Sequence, residues 1–147
     1  MLLITGANGQ LGQELTALCQ RRGIACRAYS RQALDICNQA RVKACFDFES
    51  FDCVINCAAY TAVDAAESDP QTAFAVNADG PRILAKSGVP FIHVSTDYVF
   101  DGKSSLPYGT DAPVNPLSVY GRSKRAGETA LLSGGFSGLI VRTAWLY

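Results

Sequence analysis

The sequence has one histidine (His93), one methionine (Met1) and one tryptophan (Trp145), and only 18% of its residues are charged. With so little histidine, and no Cys-x-x-Cys pair among Cys19, Cys26, Cys37, Cys45, Cys53 and Cys57, the usual zinc-ligand spacings are excluded. Thirteen basic side chains balance 13 acidic ones, so no charge excess points to a nucleic-acid partner. No apolar run approaches the ~18 residues of a membrane span. Met1 leads straight into Leu2-Leu3-Ile4-Thr5, without the basic segment of a secretory signal. The expected location is therefore the cytoplasm, where the six cysteines read as free thiols acting as small hydrophobes. What is present is apolar: 48% of the 147 residues are hydrophobic, enough for the core of one domain spanning residues 1–147.

Apolar strands alternate with helical patterns along the chain. Strands are expected at Leu2–Thr5, Ile24–Tyr29, Asp52–Cys57, Val89–Ser95 and Gly138–Thr143. Helices are expected at Gln13–Arg22, Asn38–Phe46, from Pro70 to Lys86, and at Ser118–Leu132. Near-continuous apolar strands between helices predict an α/β fold, a doubly wound parallel sheet of about five strands covered on both faces. Asp101–Leu117, rich in proline and glycine, is the one long irregular stretch.

Two motifs carry chemistry. Gly6-Ala7-Asn8-Gly9-Gln10-Leu11-Gly12 joins the first strand to the first helix with G-x-x-G-x-x-G spacing, a variant of the Rossmann dinucleotide turn. There Gly6, Asn8, Gly9, Gln10, Leu11 and Gly12 would bring backbone N–H groups to a pyrophosphate at a helix N-terminus. The second strand ends in Ser30-Arg31 with no acid before Asp35, followed by Ile36. A hydroxyl and a guanidinium suit a ribose 2′-phosphate, so NADP(H) is favoured and NAD(H) stays open. The second motif is Tyr120-x-x-x-Lys124, a phenol and an ammonium on one helix face. A phenol can deliver the proton in carbonyl reduction, and a neighbouring cation is expected to lower its pKa. Thr96, at a strand end, is placed to bond a substrate carbonyl.

These residues together resemble the extended short-chain dehydrogenase/reductases. Longer stretches resemble the dTDP-4-dehydrorhamnose reductase family: Asn56–Asp64, Val76–Pro81, Ser95–Gly102, Asn115–Gly121 and Arg142–Tyr147. The resemblance implies reduction of the 4-keto group of dTDP-6-deoxy-L-lyxo-4-hexulose to dTDP-L-rhamnose. Tyr120 would give the proton, Lys124 would tune it and hold the nicotinamide ribose, and Thr96 would orient the carbonyl. Ala58, Ala59 and Tyr60 would lie along the cofactor, with Asp97 and Tyr98 beside the sugar. The resemblance further implies a homodimer, with Mg²⁺ at the interface in some members. It also implies that this chain matches an N-terminal portion, the C-terminal substrate lobe being absent from the sequence. A non-catalytic nucleotide-binding or regulatory module and a sugar-nucleotide epimerase are the alternatives on the same fold.

Overall fold

The structure is a computed structural model, and it describes residues 1–145. Leu146 and Tyr147, the end of the Arg142–Tyr147 stretch, lie outside the described residues. The strands are β1 (Leu2–Thr5), β2 (Cys26–Tyr29), β3 (Cys53–Asn56), β4 (Phe91–Thr96) and β5 (Gly138–Thr143). Between them run α1 (Gln10–Arg22), α2 (Gln39–Phe48), α3 (Val63–Ser68), α4 (Pro70–Phe74), α5 (Gly80–Ala85) and α6 (Val119–Ser133). A π turn, Ala75–Asp79, joins α4 to α5. The five strands form one parallel sheet in the order β2-β1-β3-β4-β5, one of the two common doubly wound orders.

Strand periodicity sorts the core into two faces. Leu3, Val54 and Phe91 stand in register on one face, against Leu34, Ile36 and Val42, then Ile83, Leu84 and Leu131. These nine buried side chains include positions of α2, α5 and α6, so that face is covered by helices along its length. On the opposite face lie Ile4, Ile55, Ile92 and Leu139, again in register. Helix α1 packs there against β1 and β2. Toward β5 the same face carries Leu139 and Val141, 62% and 45% exposed.

Several boundaries move from their expected places for physical reasons. Helix α1 begins at Gln10 rather than Gln13, because Gly9 is the extended N-cap and Gly12 sits inside the helix. Its end at Gly23, in the left-handed region at φ 64°, is the expected one. Strand β2 starts at Cys26, since the Ile24 N–H is still used by the Cys19 carbonyl to close the helix. Asn38 caps α2, its side chain accepting from the Arg41 N–H at 3.0 Å. Helix α3 was absent from the sequence-based expectation: six residues are too few to show a helical period. The single helix expected from Pro70 is continuous but interrupted by the π turn, since Ala75 and Gly80 keep right-handed helical angles. None of the six cysteines is in a disulfide.

One polar row crosses the sheet interior. Thr5, Asn56 and His93 are register neighbours on β1, β3 and β4, each without solvent exposure. Thr5 Oγ1 donates to Asn56 Oδ1 at 2.6 Å, and Asn56 Nδ2 lies 3.1 Å from His93 Nδ1. His93 Nε2 has no partner, and burial above all pushes the imidazole pKa down to about 3. The lone histidine is thus a neutral core residue.

Candidate active site

Open parallel sheets hold ligands at the carboxyl ends of their strands, where successive connections diverge to opposite faces. Here that point lies between β1 and β3, flanked by the N-terminus of α1. A cleft of about 590 Å³ opens there. Its first wall is the glycine turn: Gly6, Asn8, Gly9, Gln10, Leu11 and Gly12 all line it. Gly6 adopts φ +69°, and a Cβ there would stand 2.6 Å from the Ala58 nitrogen. A Cβ on Gly12 would run into the Gly6 carbonyl oxygen and stand 2.8 Å from Ala7 Cα. Only bare backbone fits, which leaves the turn open for an anion at the helix N-terminus.

Gly12→Ala should lower unfolding free energy by about 1–3 kcal/mol through this overpacking, with urea midpoints as the measurement.

Arg31, Asp35 and Ile36 line the mouth, but Ser30 does not. The Ser30 carbonyl instead takes the N–H groups of Ala33 and Leu34, so this residue forms the corner of a turn. Arg31 Nε lies 4.0 Å from Asp35 Oδ2, and its side chain is 76% exposed. Ala58, Ala59 and Tyr60 form the floor after β3. They are held by Asn77 from the π turn, whose Oδ1 accepts from the Tyr60 N–H at 2.8 Å and whose Nδ2 donates to the Tyr60 carbonyl at 3.0 Å. The same Nδ2 donates to Ser123 Oγ at 2.9 Å, and Ser123 Oγ donates to the Tyr120 carbonyl at 2.7 Å. Asn77 thereby ties the floor to the helix that carries Tyr120.

The opposite wall comprises Thr96, Asp97 and Tyr98 after β4, with Tyr120 and Lys124 from α6. Ser118 starts that helix, its hydroxyl accepting from the Gly121 N–H at 3.0 Å. The Thr96 hydroxyl accepts from the Tyr98 N–H at 3.2 Å and donates to Asp97 Oδ1 at 3.1 Å, close enough to the Tyr120 phenol to act on its pKa. The Tyr98 and Tyr120 rings meet edge to face at 5.5 Å. Burial raises the Tyr120 pKa, helped by Asp97 and Tyr98, although the Thr96 hydrogen bond pulls the other way. The lowered phenol pKa expected from Tyr-x-x-x-Lys spacing is therefore corrected to a raised one, with desolvation the largest cause. Lys124 is 2% exposed and donates from Nζ to the Val94 carbonyl at 2.7 Å. Burial pushes its pKa down to about 8, while Glu128 and the Cys57 thiol act to raise it.

Cys57, Val94, Ser95, Thr143 and Trp145 also line the cleft and were not singled out from the sequence as site residues. Strand-end position alone could have found Ser95 and Thr143, which follow directly from the rule that placed Thr96. Among the described residues, no group of three or more His, Cys, Asp or Glu side chains could hold a metal ion. Nothing among them supports the Mg²⁺ implied by resemblance. Among the same residues, no helix is long and apolar enough to cross a membrane.

A glycine turn at the switch point of a parallel sheet, facing a buried tyrosine and lysine one helical turn apart, defines the class of dinucleotide-binding α/β folds. The chain belongs to the family described as RmlD substrate binding domain, which matches residues 1–147. It is 51% identical over 150 residues to a dTDP-4-dehydrorhamnose reductase of Streptomyces griseus, covering 99% of this chain and 49% of that protein. The crystal structure of such a reductase from Clostridium acetobutylicum superposes with a TM-score of 0.93 at 41% identity, over 99% of this chain and 54% of the other. One from Bacillus anthracis, in complex with NADP, gives 0.94 at 37% identity, over 99% and 53%. The chain thus spans about half the length of the relatives it matches.

Proposed function

We propose that this chain supplies the cofactor-binding and proton-donating wall of an NADP(H)-dependent reductase acting on the 4-keto group of dTDP-6-deoxy-L-lyxo-4-hexulose, giving dTDP-L-rhamnose in the cytoplasm. The observation that carries this reading is the convergence of the glycine turn with Thr96, Tyr120 and Lys124 on one cleft. Membership of the family and the relatives' names support the substrate class.

The chain's own residues fit the cofactor. The bare backbone at Gly6 and Gly12 admits a pyrophosphate, and Ala58–Tyr60 form a floor fixed by Asn77. A bound nicotinamide supplies the hydride. Thr96 holds the substrate carbonyl by its hydroxyl, and Tyr120, kept protonated by burial, gives its proton to that oxygen. Lys124, buried as an ammonium at neutral pH, bonds the cofactor ribose and stabilises the phenolate left behind. Asp97 and Tyr98 flank the sugar. The test is NADPH consumption with the 4-keto sugar nucleotide and identification of the reduced sugar.

Arg31 supports NADP(H) over NAD(H), as an exposed guanidinium at the cleft mouth. Arg31→Ala should weaken NADPH binding about tenfold and leave NADH binding unchanged, measured by calorimetry. The homodimer is part of the same proposal, and sedimentation reads it directly. One other reading of the same cleft is a cofactor-binding module without turnover. Tight NADPH binding with no reduction of any 4-keto sugar nucleotide would select it.

A further inference from the structure

The stripe of α6 that carries Tyr120 and Lys124 continues one turn further to Glu128, a carboxylate with no solvent exposure. Its oxygens accept hydrogen bonds from three elements. Ser95 Oγ on β4 donates at 2.7 Å, and Arg125 Nη1 on α6 donates at 2.9 Å. Arg142 on β5 closes a two-pronged pair, Nε and Nη2 both at 2.8 Å. Ser95 immediately precedes Thr96, and Arg142 immediately precedes Thr143; Ser95, Thr96 and Thr143 all line the cleft. Arg142 also lies over the Phe100 ring at 5.1 Å, just beyond the turn of Asp97–Val99.

A buried carboxylate with two guanidiniums is a poor source of stability, because desolvation offsets much of the attraction and apolar side chains of similar size pack as well. What the arrangement does supply is direction. A planar fork on a carboxylate fixes distance and angle together. We propose that Glu128 is a positioning residue that locks β4, α6 and β5 in mutual register, so that Thr96, Tyr120, Lys124 and Thr143 face the cleft as one rigid wall. The proposal rests on the reading of that wall as the proton-donating side. Among the described residues, no hydrogen bond joins the cluster to the glycine turn.

The two halves of the cleft should therefore respond differently to Glu128→Gln, which keeps shape and removes charge. Adenosine 2′,5′-bisphosphate reaches only the glycine turn and Arg31, whereas NADPH spans both halves. Expected is about tenfold weaker NADPH binding, with the bisphosphate changed by less than about twofold. Hydrogen exchange should quicken about tenfold at the amides of Thr96–Val99 and Thr143 and stay unchanged in β1 and β2. Arg142→Lys, which keeps the charge and loses the fork, should show the same pattern at smaller size and serves if Glu128→Gln does not fold. Equal weakening of both ligands, uniform acceleration of exchange, or no change in either variant overturns the proposal. If the unaltered chain binds neither ligand, the cofactor reading fails, while the exchange pattern still decides the role of Glu128.

Discussion

Tyr120→Phe is expected to lower turnover of the 4-keto sugar nucleotide by about a thousandfold, within the range that loss of a positioned proton donor produces. NADPH affinity should change by less than about twofold. The substitution removes one oxygen and leaves the ring, which packs beside Ala66, Ala73 and Val119 and meets Tyr98 edge to face. Stability should therefore move little. The same mechanism dictates a pH dependence. Reduction needs the phenol protonated, and burial holds its pKa above the usual value, so it stays competent at neutral pH. Lys124 is the group that titrates within reach, at about 8. Rate should be full below that value and fall as pH rises through it, with kcat/KM profiles as the measurement. Unchanged turnover in Tyr120→Phe would sink the assignment of the proton donor.

The second large effect is acid destabilisation through His93. Its native pKa is about 3, against an ordinary value of 6.5, because burial disfavours the cation and Lys124 adds repulsion. Between those values the unfolded chain binds a proton that the native state refuses. Stability is therefore retained above the unfolded value and lost as pH falls below it, by about 1.4 kcal/mol per unit. From pH ~7 to pH ~5 the loss should be about 2 kcal/mol. Glu49, Asp69, Asp101 and Glu128 have lowered pKa values, so their contributions disappear only at more acidic pH. His93→Gln, whose amide can still meet Asn56, should flatten the decline in this window. Urea unfolding of both proteins at the two pH values measures it, and parallel declines would overturn the account.

The sheet was legible because its signal is local: β1 and β5 carry the short apolar runs Leu2-Leu3-Ile4 and Leu139-Ile140-Val141, too short for a helix and bounded by glycine. The glycine turn and Tyr120–Lys124 were legible for a related reason, since spacing alone fixes what they can present. The roles of Glu128 and Asn77 were not. Apart from Arg125, three residues from Glu128, their partners lie 14 to 46 residues away, and a buried carboxylate on a helix reads in sequence like any solvated one. Ser30, at the same strand end as Arg31, has its carbonyl committed to the turn and is not among the residues that line the cleft. The phenol pKa also lay beyond spacing, because desolvation depends on everything packed around the ring.

The π turn at Ala75–Asp79 sets a rule about chain length. A π turn is an α-helix holding one residue too many. Removing any single residue between Pro70 and Ala85 would let an uninterrupted helix form, with better backbone geometry than the native one. It would also remove the widened turn from which Asn77 reaches both Tyr60 and Ser123. Asn77 could then no longer face Tyr60 while α5 stayed seated on the core. Substitutions along this segment can be judged one side chain at a time, but its residue count is part of the site.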